Sequence, residues 1–126
     1  MTDTHLVLES APHDLGRQGE DLAAAYLADR GLVLLSRNWR CRDGELDLVV
    51  TDGDILVVCE VKTRSTDEFG DPAEYVSPIK ALRIKRATRA WLRRYRAGWC
   101  DVRFDVVAIL WPPDAEPELC HHRGAF

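Results

Sequence analysis

Apolar positions recur at helical spacing early in the chain. Leu15, Leu22, Ala23, Tyr26 and Leu27 fall on one side of a helix predicted over Asp14–Arg30. Asp14 is suited to cap its start and Gly31 to end it in a left-handed turn. Residues 1–13 carry no sustained period and read as a flexible leader. Leu32–Ser36 is β-prone, and Arg37–Arg40 follows as strand end or loop. The apolar runs Leu46–Val50 and Ile55–Val61 flank Asp52-Gly53-Asp54, the signature of a hairpin. Asp67–Ser77, with Gly70 and Pro72, reads as a surface loop. Pro78 suits the first turn of a second helix reaching Gly98, with Ile84, Ala87, Thr88, Trp91 and Tyr95 on its inner side. Val102–Leu110 is the final strand, and Trp111-Pro112-Pro113 opens a C-terminal tail, residues 111–126. The order α-β-β-β-α-β predicts one α/β domain over residues 14–110, a central mixed sheet flanked by helices.

Composition narrows the class. The chain has 126 residues, 46% hydrophobic and 30% charged, so it can bury a core without a disulfide or metal staple. Its longest apolar run is the seven residues Leu22–Ala28. A membrane span needs roughly 20, so none is expected. No basic, apolar export signal opens the sequence, and Cys41, Cys59, Cys100 and Cys120 are widely spaced. Reduced thiols in a cytoplasmic protein are the simplest expectation. Cys59 reads as a small core residue. Cys120-His121-His122 lacks a fourth ligand and carries no metal-site expectation.

Charge changes the picture once it is divided. Seventeen basic and twenty-one acidic residues give −4 overall. Between Ser77 and Cys100, however, stand Lys80, Arg83, Lys85, Arg86, Arg89, Arg93, Arg94 and Arg96, with no acidic residue among them. Like charges at i, i+3 and i, i+4 destabilise an isolated helix, and a purely structural one would relieve them with Glu. A phosphate backbone relieves them equally well, since the guanidinium fork matches its oxygens. Trp91 and Tyr95, at core spacing, are expected to pack rather than stack on bases.

The candidate chemistry lies on the hairpin. Side chains alternate along a strand, so Glu45 and Asp47 share a face, as do Glu60 and Lys62. A two-residue turn at Asp52-Gly53 would set Glu45 opposite Glu60. One at Gly53-Asp54 would set Asp47 opposite Glu60 and Glu45 opposite Lys62. Either register puts all four groups on one side, whereas a three-residue loop with regular pairing separates them. Facing carboxylates repel unless they share a cation, and hard oxygen donors suit magnesium or manganese. Such an ion activates water and stabilises charge on a phosphoryl oxygen, with Lys62 beside it to serve the water. Glu20, midway along the first helix, is the natural third carboxylate. The competing reading is surface salt bridging, for instance between Glu45 and Lys62.

Asp47, twelve intervening residues and Glu60-Val61-Lys62 resemble the PD-(D/E)xK nuclease signature, with Leu46 where the motif name has proline. Together with Gly16-Arg17-Gln18-Gly19-Glu20, Ser36-Arg37-Asn38, Gly44–Val49, Glu60–Arg64 and Phe104–Val107, they resemble the YraN family, bacterial proteins regarded as endonuclease-like and similar to archaeal Holliday-junction resolvases. The resemblance runs from about Leu15 to Leu110. It implies a restriction-endonuclease-like fold, Asp47 and Glu60 as metal ligands, Lys62 as catalytic lysine and Glu20 as the first-helix acid. It also implies Arg37 and Arg64 as phosphate-holding positions.

The expectation is therefore a magnesium-dependent endonuclease, manganese being the alternative ion, acting on structured or branched DNA. Lys80, Arg83, Arg86, Arg89 and Arg93 would grip the backbone, and a homodimer would reach two strands. The rivals are a non-catalytic nucleic-acid-binding module with this fold, and a module whose basic helix meets an acidic protein partner. No glycine-rich phosphate loop, dinucleotide fingerprint or serine-hydrolase elbow is present.

Overall fold

The computed structural model describes residues 12–66 and 76–126. Helix α1 (Pro12–Asp29) leads into β1 (Val33–Cys41), β2 (Gly44–Thr51) and β3 (Ile55–Arg64); α2 (Pro78–Arg94), β4 (Asp101–Leu110) and β5 (Glu118–His122) follow. The five strands form one mixed sheet in the order β1-β2-β3-β4-β5, with β3 and β4 parallel and every other neighbouring pair antiparallel. The α/β class and the predicted helix–strand order hold, with one strand added. That strand corrects the reading of 111–126 as a tail: β5 pairs with β4 from Val106↔His122 to Leu110↔Glu118.

Boundaries shift where propensity alone is a weak guide. Helix α1 starts at Pro12, so Asp14 lies in its first turn rather than capping it. Gly31 does take a left-handed φ of 87° directly after the helix. Strand β1 runs on through Arg37–Arg40, which the sequence left undecided. Helix α2 is capped by Ser77, whose Oγ accepts from Lys80 N at 3.1 Å, and it ends at Arg94, short of Gly98. Most of the expected leader (1–11) and of the loop (67–75) lies outside the described residues.

Each face of the sheet carries a helix and its own core. Ala23 and Leu27 of α1 pack on Leu48, Val50, Val57, Cys59, Val107 and Ile109. Ile84, Ala87 and Trp91 of α2 pack on Leu46, Val49, Leu56 and Val58. Covering both faces explains why β3 reads as an unbroken apolar run rather than an alternating one. Trp91 donates Nε1 to Ser36 Oγ at 2.9 Å, tying α2 to the edge strand, while Tyr95 tilts against Trp91 and stays half-exposed instead of entering the core. Cys59 is fully buried, as expected. Among the described residues, no helix is long and apolar enough to cross a membrane.

Candidate active site

The hairpin takes the register with Gly53-Asp54 at its tip: Thr51 faces Leu56, and the ladder continues to Leu48↔Cys59. Asp52 secures this turn by accepting from Asp54 N and Ile55 N, both at 2.9 Å, and Gly53 supplies the positive φ of 103°. One step beyond Leu48↔Cys59, Asp47 stands opposite Glu60. There Val61 donates its N–H to Asp47 Oδ2 at 2.9 Å. β2 remains paired with β1 as far as Gly44, and β3 with β4 as far as Arg64. The two central strands are thus held from their outer sides while they part from each other, and the acids line the opening.

Above the opening lies the start of α2. A cleft of about 450 Å³ is lined by Gly44, Glu45, Asp47 and Glu60 from the strands, and by Ser77, Ile79, Lys80, Arg83 and Ile84 from α2 and its cap. Glu60 is buried and receives Lys80 Nζ at 2.5 Å on Oε1. Burial, then the Glu60 charge, pushes the Asp47 carboxyl up to about 7; Glu20 adds to the rise and the Val61 N–H opposes it. Burial holds the Lys62 ammonium below its ordinary range, and neighbouring Lys80 depresses it further against the pull of Glu60 and Asp47. For Lys80 burial acts downward too, but the Glu60 carboxylate outweighs it and the net shift is upward. Asp47, Glu60 and Lys62 therefore share one electrostatic neighbourhood. Lys80, expected on the outer, DNA-facing side, has joined it.

Glu20 approaches Asp47 from α1 without lining the cleft. Its Oε1 accepts from Asn38 Nδ2 at 3.0 Å, and its charge is felt at Asp47. Asn38 sits between the pairs Arg37↔Leu48 and Trp39↔Leu46, at the strand position beside Asp47, with a left-handed φ of 53°. Sequence reasoning gave Asn38 no role. The signal available was its residue type, since Asn enters the left-handed region more readily than most. Arg37 reaches Asp21 Oδ1 at 2.5 Å and Glu20 Oε1 at 3.7 Å, so its guanidinium bridges to α1 acids. Arg64 is half-buried, two positions past Lys62 and in register with Leu110. Glu45 pairs with Arg40 at 3.5 Å, which replaces the surface bridge to Lys62 considered from sequence.

Arg83, Arg86, Arg89 and Arg93 are exposed on α2. The site is accordingly an acidic cleft with a buried floor beside a cationic helix. Among the described residues no three His, Cys, Asp or Glu side chains close into a metal-binding group. Asp47 and Glu60 are the two carboxylates that lie together on the cleft floor.

Comparison with known proteins bears on what this cleft belongs to. The profile described as "Uncharacterised protein family UPF0102" matches residues 19–109. A UPF0102 protein of Acidothermus cellulolyticus is 50% identical over 127 residues, covering 93% of this chain and 96% of the relative. One of Frankia alni is 52% identical over 112 residues, covering 89% and 93%. One of a Nocardioides species is 48% identical over 110 residues, covering 87% and 89%. The matched span takes in Glu20, the parted strands and α2, and on this similarity the chain belongs to the UPF0102 family, which is the YraN family.

Proposed function

We propose that the protein is a metal-dependent endonuclease that hydrolyses phosphodiester bonds in structured or branched DNA. The observation that carries this reading is the meeting of Asp47 and Glu60 where β2 and β3 part, with Lys62 alongside.

The acid pair fits a divalent ion on two grounds. Its oxygens are hard donors, and magnesium is commonly held by one or two carboxylates with water completing the shell. Burial and mutual repulsion push Asp47 up to about 7, a cost that a cation relieves, and one cation, the Lys80 ammonium, already rests on Glu60. Asp47 and Glu60 would hold magnesium or manganese, which supplies an acidified water and an electrophile for the phosphoryl oxygen. Asp47 Oδ2 is held by the Val61 amide, which fixes the carboxylate's orientation. Lys62, its ammonium held below the ordinary range by burial and by Lys80, is suited to orient the attacking water and to neutralise charge on the phosphoryl group. Water oxygen bonds to phosphorus as the bond to a sugar oxygen breaks, leaving a phosphate monoester and a hydroxyl. The exposed α2 arginines hold flanking phosphates, and Glu20, fixed by Asn38, keeps further negative charge beside Asp47.

The second reading, a nucleic-acid-binding module without catalysis, draws on the same Lys80–Glu60 pair, which neutralises one acid internally. Cleavage of junction and flap DNA by wild type and Asp47→Asn, in magnesium and in manganese, separates the two. Loss of a metal ligand is expected to lower the rate by about 10²-fold or more. Equal rates would remove Asp47 from the chemistry. Binding that is unaffected by chelator, with no cleavage by wild type of any substrate, would establish the second reading.

A further inference from the structure

The other face of the sheet holds a polar centre that the nuclease reading leaves unused. Arg103 and Asp105 alternate with Val102 and Phe104, so they lie on the α1 side with Val107 and Ile109. Arg103 is in register with Val57, three residues before Glu60 on β3. Asp105 is fully buried. It accepts from Arg103 Nε at 2.8 Å and Nη2 at 2.9 Å, and from Gly124 N at 2.9 Å. His121 Nε2 lies 2.8 Å from its other oxygen, and the Tyr26 hydroxyl lies 3.2 Å from His121 Nδ1. A carboxylate only accepts, so Nε2 carries a proton. Asp105, itself held by His121 and Gly124, thereby occupies the Nε–Nη2 edge of the Arg103 guanidinium, and Nη1 has no hydrogen-bonding protein partner among the described residues.

In front of this network is a cavity of about 270 Å³ lined by Arg30, Leu32, Asp52, Arg103, His121 and Arg123. Arg30 lies over the Tyr26 ring at 4.8 Å, and Arg123 is exposed and makes no ion pair among the described residues. Three arginines thus line the cavity beside a single carboxylate, Asp52, while Asp105 pairs with Arg103 from outside the lining. With Arg103 balanced by Asp105, the lining still carries Arg30 and Arg123 against Asp52 alone, a positive excess that an anion offsets, and planar forks match tetrahedral oxyanions best. We propose that the cavity binds a phosphate monoester, with Arg30, Arg103 and Arg123 as donors and Tyr26–His121–Asp105 as the positioning network. The ligand is either the terminal phosphate of a nucleic-acid strand or a small free phosphate.

Thermal unfolding of the full chain in increasing inorganic phosphate, against chloride at equal ionic strength, tests this without any cleavage assay. The wild type should show a saturable rise in Tm. Arg30→Ala and Arg123→Ala, both at exposed positions, should each weaken apparent phosphate affinity about tenfold or more, with unchanged far-UV circular dichroism. No phosphate-specific rise, or an equal rise in both variants, would overturn the proposal. Binding of an oligonucleotide with a 5′-phosphate, compared with its 5′-hydroxyl form, then identifies the source. A preference that Arg123→Ala abolishes supports the strand terminus. Equal binding alongside a retained phosphate effect supports a small free phosphate. Because the readout is stability, failure of the nuclease reading leaves this result intact.

Discussion

Gly19 decides where α1 meets the sheet. A Cβ at this buried glycine would lie 1.8 Å from Thr63 Oγ1 and 2.9 Å from Thr63 Cβ, whereas at Gly16 it would meet nothing within 4 Å. The helix can approach β3 only because that atom is missing, and the approach sets the next residue, Glu20, beside Asn38 and within electrostatic reach of Asp47. Ala favours helix over Gly by about 1 kcal/mol, yet overpacking a close contact costs about 1–3 kcal/mol, and here the clash is with a β-branched side chain. With the helix gain set against that packing cost, Gly19→Ala should lower unfolding free energy by about 1–2 kcal/mol in urea titration. Thr63→Ala in the same chain should restore part of it. An unchanged urea midpoint would mean that the helix is not held at this distance. Asp47, Glu60 and Lys62 were legible because charges on strands flanked by apolar runs are conspicuous. The place of Lys80 was not: its identity says cation, and only the depth of α2 over the opening turns its ammonium onto Glu60.

At the scale of elements, the strands with apolar runs could be read and the strand without one could not. Leu46–Val50, Ile55–Val61 and Val102–Leu110 all form strands over nearly those limits. Strand β5 has five residues, Glu118-Leu119-Cys120-His121-His122, and follows three prolines, so nothing local marks it. It is specified by tertiary contact, chiefly the His121 and Gly124 bonds to Asp105. Burial alone would raise the Asp105 carboxyl. The Arg103 guanidinium, the Gly124 N–H and His121 outweigh it and hold the group below its ordinary value. A carboxylate depressed in this way stabilises the fold at and above its unfolded pKa near 4, and the stabilisation is lost as pH falls through the lower folded value. Asp105→Asn should then cost about 3 kcal/mol at pH 7, because Arg103 loses its buried counter-charge. The deficit should shrink progressively below pH 4, where wild type alone loses stability by protonation. Urea unfolding of both proteins at pH 7, 4 and 2.5 measures this. A gap that stays constant with pH would mean that Asp105 acts by shape rather than charge.

Across the whole molecule, charge is sorted by position. A chain of net charge −4 puts eight cations between Ser77 and Cys100, with the acid cleft at the start of the helix that carries most of them. The 17-residue helix α2 is about 25 Å long, enough to follow several phosphates of a duplex. Its cations are not equivalent. Lys80 is committed to Glu60 and Lys85 lies 5.5 Å from the centre of the Phe104 ring, while Arg83, Arg86, Arg89 and Arg93 face solvent. Composition revealed this segment, but only the packing of Ile84, Ala87, Thr88 and Trp91 against the sheet separates arginines available to a polyanion from lysines already engaged. If Arg83, Arg86, Arg89 and Arg93 each neutralise one phosphate, log affinity for DNA should fall with log salt at a slope near −3.6, or roughly 10²-fold between 50 and 200 mM. Replacing Arg86, Arg89 and Arg93 together by Ala should flatten that slope by about 2.7, whereas Lys80→Ala should leave it unchanged. Fluorescence anisotropy with a labelled junction across a salt series measures both variants. A slope that responds to Lys80→Ala as strongly as to the loss of an exposed arginine would mean that Lys80 leaves Glu60 for the phosphate backbone when DNA arrives.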